Sequence, residues 1–221
     1  MRYLTLALFA EGPSDQGYLR RIIYRSVVEI GTRLSDQKLD VGERFIDGER
    51  YASVERAERI REAFEELTRQ GAVNLLFIHS DGGADPYAAR EERIAPAQRL
   101  LEPLNPKGFR CVPVVPVRET EAWALADLDA LLAEFGWTGD IRSLAPEFEL
   151  SRPEALLDPK VVLTAFQKRT AGSVRRGRRQ RVESIPAGLG DRASLQKLRT
   201  LSAFVEFEAD VERALQGMWG I

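Results

Sequence analysis

The sequence has very few of the residues that form disulfides and soft metal sites. Its 221 residues include one cysteine, Cys111, and one histidine, His79. A single thiol excludes an internal disulfide and a thiolate zinc cluster, and a single imidazole excludes a multi-histidine metal site. A Ser-His-Asp hydrolase is left only with His79 as its base. Carboxylates are therefore the residues that remain for catalysis.

Long apolar runs and a large net charge are also missing. No stretch approaches the roughly 20 apolar residues that a membrane-spanning helix needs, so we expect no membrane partner. The N-terminal MRYLTLALFAEG has no extended basic leader and no small-residue cleavage site, which predicts a first strand, not a signal peptide, and a cytoplasmic protein. The 32 Lys and Arg against 34 Asp and Glu give a net charge of −2. Any affinity for phosphate must therefore be local.

Apolar runs alternate with amphipathic segments over the first 135 residues. The runs predict strands at Tyr3 to Ala10, Leu39 to Ile46, Val73 to His79 and Arg110 to Val117. Helices are predicted after Ser14 and Asp15 as N-caps up to Gly31, and at Ala52 to Gln70, Tyr87 to Leu101 (divided near Pro96) and Glu119 to Phe135. Pro113 and Pro116 place the last strand at an edge, because each removes a ladder donor. This alternation predicts an α/β fold, a mainly parallel sheet with helices on both faces.

Beyond Gly136 the pattern becomes helical. Segments around Pro153 to Phe166 and Ser194 to Leu215 predict helices, and nothing there indicates a strand. We therefore expect an α/β domain over residues 1–135. A helical C-terminal extension over residues 136–221 is expected to pack against the sheet domain or a partner.

Acidic residues follow three of the predicted strands. Glu11 follows the first, Asp81 and Asp85 follow the third, and Glu119 and Glu121 follow the fourth. Parallel strands end at one edge of the sheet, where carboxylates repel one another unless a cation lies among them. Mg²⁺ or Mn²⁺, which prefers oxygen ligands, is the natural cation. Local alternatives remain: Asp81 and Asp85 can form the turn around Gly82-Gly83, and Asp85 can also cap the next helix. Glu11 and the two glutamates can favour helix N-termini, and at most one of the two glutamates is expected to face the site.

Basic residues are concentrated in the C-terminal extension. The run contains no acid and comprises Lys168, Arg169, Arg175, Arg176, Arg178, Arg179 and Arg181. Its glycines predict a mobile loop, and arginine forks suit the phosphate oxygens of a nucleic-acid backbone. The alternatives are a solvated loop or one that pairs with the acids of a partner.

Four further side chains have a structural interpretation, and three of them also have a functional one. His79 precedes Asp81 by two residues, so we expect both side chains on the same side of a strand. There His79 either binds phosphate, transfers a proton or is a core histidine whose hydrogen bonds are satisfied. Lys160 either brings positive charge to the acidic edge or is structural. Trp123 is expected to fill the core instead of stacking on a base, and Cys111 to act as a small apolar residue.

Several of these motifs resemble a known family. The Glu11-Gly12 turn, the His79-Ser80-Asp81 strand end and the Glu121-Ala122-Trp123 helix start are similar to those of a Toprim-like family of bacterial proteins of unknown function. Asp158-Pro159-Lys160 and the stretch Leu198 to Leu215 resemble its C-terminal region, so the resemblance covers most of the chain. That family is related to the Toprim nuclease domain of overcoming-lysogenization-defect proteins and is often encoded beside ATPases in defence loci.

The resemblance implies a Toprim-like fold and magnesium-dependent phosphodiester chemistry. Toprim domains hold Mg²⁺ with a Glu after the first strand and an Asp-x-Asp after a later one, which assigns Glu11 and Asp81. The second acid of Asp-x-Asp falls on Gly83, so the metal set is complete only if Asp85 moves in across the Gly82-Gly83 turn.

Two functional hypotheses follow. The first is a Mg²⁺- or Mn²⁺-dependent nuclease, a hydrolase of phage defence with an ATPase partner. Its metal ligands are Glu11, Asp81 and Asp85. Its catalytic residues are Glu11, Asp81 and Glu121. Nucleic acid, DNA in preference to RNA, would then be bound by His79, Lys160, Arg175, Arg176, Arg178 and Arg179. The second is a catalytically degenerate binding subunit that docks on an ATPase or on nucleic acid. A nucleotide-binding regulator is less favoured because no Walker lysine motif and no GxGxxG turn is present.

Overall fold

A four-stranded parallel sheet organises the protein. The structure is a computed structural model that describes residues 1–10, 12–46, 55–104, 108–137, 139–140, 150–170 and 185–221. Its strands are β1 (Arg2–Phe9), β2 (Leu39–Phe45), β3 (Leu75–His79) and β4 (Arg110–Val114). They lie in the order β2-β1-β3-β4, and every neighbouring pair is parallel. The predicted α/β class, with a parallel sheet flanked by helices, is confirmed.

Helices connect the strands and form the C-terminal part of the chain. Before β4 they are α1 (Pro13–Leu34), α2 (Arg56–Gln70), α3 (Pro86–Ala89) and α4 (Ala95–Leu101). After β4 they are α5 (Thr120–Leu125), α6 (Leu128–Glu134), α7 (Pro159–Thr170), α8 (Leu189–Arg192), α9 (Leu195–Leu198) and α10 (Ser202–Trp219). Within the described ranges, none of these helices has the length and apolar character needed to cross a membrane.

Helix boundaries differ from the sequence prediction at several places, and two of these differences have a clear local cause. Gly12, with extended backbone, is the N-cap of α1 and Pro13 is its first residue, so the prediction of Ser14 and Asp15 as caps is wrong. Proline at the first helical position explains this, because its fixed φ suits the helix start. The single helix predicted over Glu119 to Phe135 is also wrong. Asp127 breaks it by accepting a hydrogen bond from the backbone N–H of Ala130 at 3.2 Å, which caps α6.

The helix predicted over Tyr87 to Leu101 is divided, as expected. A π-helical turn, Arg90–Ile94, separates α3 from α4. The break precedes Pro96, which cannot donate a helical hydrogen bond.

Both faces of the sheet are covered by apolar side chains. One face packs against α1 and the C-terminal helices, and the other against α2 and α4. All five residues of β3 are buried, which explains why its sequence is continuously apolar and does not alternate. The C-terminal part of the chain thus shares its core with the sheet. The division at residue 135 stays a prediction.

Trp123 and Cys111 occupy the predicted structural positions. The Trp123 ring is fully buried and lies 5.1 Å from that of Phe204 and 5.7 Å from that of Phe207, measured between centroids. Cys111 is a free thiol in β4 that packs against the α2 side of the sheet, and burial raises its pKa to about 12. β4 is an edge strand of the described sheet, as Pro113 predicts.

Candidate functional site

The carboxyl end of β3 brings His79 and Asp81 together. The imidazole is completely buried, and its Nε2 lies 3.0 Å from Oγ1 of Thr120 and 3.5 Å from Oδ1 of Asp81. The prediction that His79 and Asp81 share one face is therefore confirmed. Nδ1 of His79 has no hydrogen-bond partner within the described residues. The imidazole is thus oriented on one side only, through Thr120 at the start of α5.

Backbone pairing continues beyond the ends of β3 and β4. Gly82 donates from its N–H to the carbonyl of Pro116 at 3.0 Å, and Gly83 and Arg118 exchange two hydrogen bonds of 3.0 and 2.7 Å. A Cβ at position 82 would lie 2.4 Å from the Pro116 carbonyl oxygen, so this approach requires glycine. The pairing holds the acids that follow β3 close to those that follow β4.

The turn after Asp81 is fixed by this pairing. Gly83 has a φ of +56°, and its bonded neighbour Arg118 is a non-glycine residue with a φ of +64°. Asp85, which was expected to move in across this turn, is exposed, and its Oδ1 accepts a hydrogen bond from the N–H of Ala88 at 3.0 Å. Asp85 therefore caps α3, one of the two alternatives drawn from the sequence. Its role as a metal ligand stays a prediction.

Glu121 is a buried acid in the first turn of α5. Its residue is 7% exposed, and burial raises the pKa of the carboxyl from 4.5 to about 7. The negative charges of Asp15, Glu119 and Asp81 add to this increase, and the N–H of Glu121 itself opposes it. A carboxyl with this pKa can hold or release a proton near neutral pH.

Glu119 lies at the N-cap of α5 with extended backbone. Burial is the largest effect that raises the pKa of the Glu119 carboxyl, and the negative charges of Asp81 and Asp158 raise it further. The ammonium and the backbone N–H of Lys160 lower it. Glu119 and Glu121 are thus both within electrostatic reach of Asp81, against the expectation that only one of them faces the site. The extended N-cap explains this, because helical spacing does not apply to a residue outside the helix.

Two oxygen atoms of this group lack a hydrogen-bond donor. They are Oδ1 of Asp81 and Oε2 of Glu119, both buried and without a hydrogen-bond partner among the residues that the structure describes. Ionised carboxylates only accept hydrogen bonds, so such atoms fit a cation. We call Asp81, Glu119 and Glu121 the acidic rim. Across the described ranges, no cluster of three or more His, Cys, Asp or Glu groups could by itself hold a metal ion, so a complete site needs a further ligand.

The N-terminal residues of α7 border the acidic rim. Asp158 accepts a hydrogen bond at Oδ1 from the N–H of Val161 at 2.9 Å. Lys160 is exposed, and its charge acts on Glu119. The sequence interpretation in which Lys160 brings positive charge to the acidic edge agrees with this placement. Its binding of phosphate stays a prediction.

Some of the predicted site residues lie outside the described residues. They are Glu11, Arg175, Arg176, Arg178 and Arg179. β1 ends at Phe9, so the place of Glu11 after the first strand stays a prediction.

Sequence reasoning missed two arginines at the end of β3. Arg56 donates a hydrogen bond to the carbonyl oxygen of His79, and Arg93 donates one to that of Asp81 at 3.1 Å. Both lie in highly charged helical segments, where an arginine that faces the site has the same sequence signal as one that faces solvent.

Comparisons with protein-family models, curated proteins and solved structures found no match for this chain. The Toprim-like resemblance therefore stays a prediction from the motifs.

Proposed function

We propose that the protein is a nuclease of Toprim type that hydrolyses phosphodiesters with Mg²⁺ or Mn²⁺. The observation that carries this proposal is the acidic rim at the carboxyl ends of β3 and β4. The charge of Asp81 raises the pKa of both glutamates, the charge of Glu119 raises that of Glu121, and two oxygens of the rim lack a hydrogen-bond donor. A divalent cation relieves that repulsion and supplies the missing partner.

Glu119 supports this proposal despite the absence of an acid at position 83. Gly83 pairs through its backbone with Arg118, the residue before Glu119. The carboxylate of Glu119, at the N-cap of α5, is therefore proposed to replace the second acid that the Asp-x-Asp pattern requires. The proposed metal ligands are Asp81, Glu119 and Glu11, which follows β1 in the sequence.

The remaining groups have proposed roles in proton transfer and orientation. A cation held by Asp81, Glu119 and Glu11 would polarise the scissile phosphate and lower the pKa of an attacking water. Glu121, with a pKa of about 7, accepts a proton from that water or returns one to the leaving oxygen. The buried His79 orients Thr120 at the start of α5.

Nucleic-acid cleavage tests this proposal directly. The full chain is incubated with Mn²⁺ and plasmid DNA, single-stranded DNA or RNA, alone and with a candidate ATPase partner. We expect DNA cleavage that a chelator abolishes and that D81N and E119Q reduce strongly. E102Q, at an exposed acid away from the rim, is the matched control. Intact substrates under all conditions would refute the nuclease proposal, and equal activity in D81N and E119Q would refute the site.

A binding subunit without catalysis is the second candidate. It is favoured by Gly83, which carries no carboxylate, and by Asp85, whose carboxylate is already used as a helix cap. Such a subunit would dock on an ATPase or on nucleic acid. A thermal-shift series with Mg²⁺, Mn²⁺ and chelator separates the two candidates, because a ligand selective for the folded state raises the melting temperature. Absence of a shift favours the binding subunit.

The proposed setting is the cytoplasm, in phage defence beside an ATPase. This part of the proposal is supported only by the family resemblance and by the basic run of the C-terminal part. Co-purification with the product of a neighbouring ATPase gene tests it. Recovery of the chain without that partner at native expression levels counts against it.

A further inference from the structure

The guanidinium of Arg93 lies at the end of β3. Its Nη1 donates to the carbonyl oxygen of Asp81 at 3.1 Å and lies 3.5 Å from Oγ of Ser80. Both partners are neutral oxygens, so among the described residues no carboxylate in contact with Arg93 compensates its positive charge. Within the described ranges Nε and Nη2 make no hydrogen bond, and the side chain is exposed.

Several other arginines of the described residues contact carboxylates. Arg61 contacts Glu58 at 2.7 Å, Arg90 contacts Glu206 at 2.9 Å, and Arg199 contacts Glu208 at 2.7 Å. Carboxylates are the usual partners of guanidinium groups because two charged hydrogen bonds can form in parallel. Arg25 and Arg44 donate to backbone carbonyls as Arg93 does, but only the carbonyl that Arg93 contacts belongs to a residue of the acidic rim, Asp81. The remaining N–H groups of Arg93 are thus available to an anion.

The local backbone holds Arg93 in this place. Arg93 belongs to the π-helical turn Arg90–Ile94, and π-helical turns within α-helices occur frequently at functional sites. Arg90 anchors the turn to Glu206 and Asp210 of α10, and Ile94 anchors it in the core with no exposed surface. Arg93 therefore extends from a turn that is fixed on both sides.

We propose that Arg93 forms a phosphate-binding site next to the acidic rim, which positions a phosphodiester of a nucleic-acid backbone against Asp81. This inference rests on the proposed function and adds the residue that holds the substrate. The planar guanidinium presents N–H groups in a fork that matches phosphate oxygens, and it stays charged at all relevant pH values. Arg93 acts as a positioning residue that contacts substrate; the carboxylates of the rim carry the chemistry.

Oligonucleotide binding without cleavage tests this site. Anisotropy of fluorescein-labelled single-stranded and duplex DNA is measured in chelator for wild type, R93Q, R93K and R99Q. Gln keeps a donor for the Asp81 carbonyl but removes the charge, and Arg99 is an exposed arginine on α4 that serves as the matched control. We expect R93Q to raise Kd about tenfold, as loss of a charged hydrogen bond does. In R93Q the slope of log K against log salt should become less negative by about 0.7–0.9. R99Q should change neither Kd nor this slope.

The outcomes separate this inference from the nuclease proposal. Equal Kd and salt slope in R93Q and R99Q overturn the phosphate site, even if wild type cleaves DNA. A tenfold loss specific to R93Q supports the site, even if no cleavage occurs with Mn²⁺. If wild type binds no oligonucleotide, thermal shifts with inorganic phosphate and pyrophosphate decide the matter. A shift that R93Q abolishes and R99Q retains supports a site for small phosphates, and absence of any shift overturns it.

Discussion

Replacing Glu121 with glutamine should stabilise the protein at alkaline pH. The substitution keeps the size of the side chain and removes its charge. Glu121 is 7% exposed, and burial raises the pKa of its carboxyl from 4.5 to about 7. The folded state therefore holds the proton more tightly than the unfolded state. The resulting stability is present below pH 4.5 and is lost as the pH rises to about 7.

The size of the effect follows from the pKa difference. Each pKa unit corresponds to 1.36 kcal/mol, so the ionised Glu121 costs the folded state about 3 kcal/mol at pH 8 and about 1 kcal/mol or less at pH 5. E121Q lacks this pH-dependent cost. We expect the difference in free energy of unfolding between E121Q and wild type to be about 2–3 kcal/mol larger at pH 8 than at pH 5.

Urea denaturation at pH 5, 6, 7 and 8 in chelator measures this difference. E102Q, at an exposed acid, is the control and should show a constant difference from wild type. A difference between E121Q and wild type that is the same at all four pH values would refute the reasoning. A larger stabilisation at pH 5 than at pH 8 would show that the pKa shift has the opposite sign.

Three further predictions concern the structure around the rim. G82A should destabilise the protein by about 2 kcal/mol or more, because the added Cβ meets the Pro116 carbonyl. G83A should cost only about 1 kcal/mol, because Gly83 has a positive φ but open space around its Cα. Urea denaturation compares the two variants. W123A should lower the free energy of unfolding by about 3–5 kcal/mol in the same assay, and a loss below about 1 kcal/mol would show that the indole is not a core group. D85A should cost about 1 kcal/mol as a lost helix cap and leave the thermal shift with Mn²⁺ unchanged. Loss of that shift would make Asp85 a ligand.

The sheet could be predicted because burial determines the sequence of its strands. β3 is apolar at every position before His79 since both of its faces are covered, and Pro113 indicates the edge position of β4. The helix breaks were harder to predict. Asp127 follows one helix and caps the next within a continuous apolar pattern. The hydrogen bonds that show this role come from the backbone N–H groups of Ala130 and of Ser194, which is distant in sequence.

The site could be predicted only where it follows directly from a strand end. Asp81, Glu119 and Glu121 were candidates because parallel strands end at one edge, although only one of the two glutamates was expected to face it. Arg93 could not be found, because its direction depends on a π-helical turn that its local sequence does not reveal. Tertiary contacts decide which residue of a charged segment turns inward, and those contacts involve distant parts of the chain.

Calorimetric titration of Mn²⁺ into the full chain at pH 8 tests the central claim most directly. The account predicts saturable binding that D81N and E119Q abolish and that E102Q retains, because Asp81 and Glu119 contribute the oxygens that lack a donor. Absence of binding in wild type, or equal binding in all four proteins, would contradict a divalent-cation site at the acidic rim.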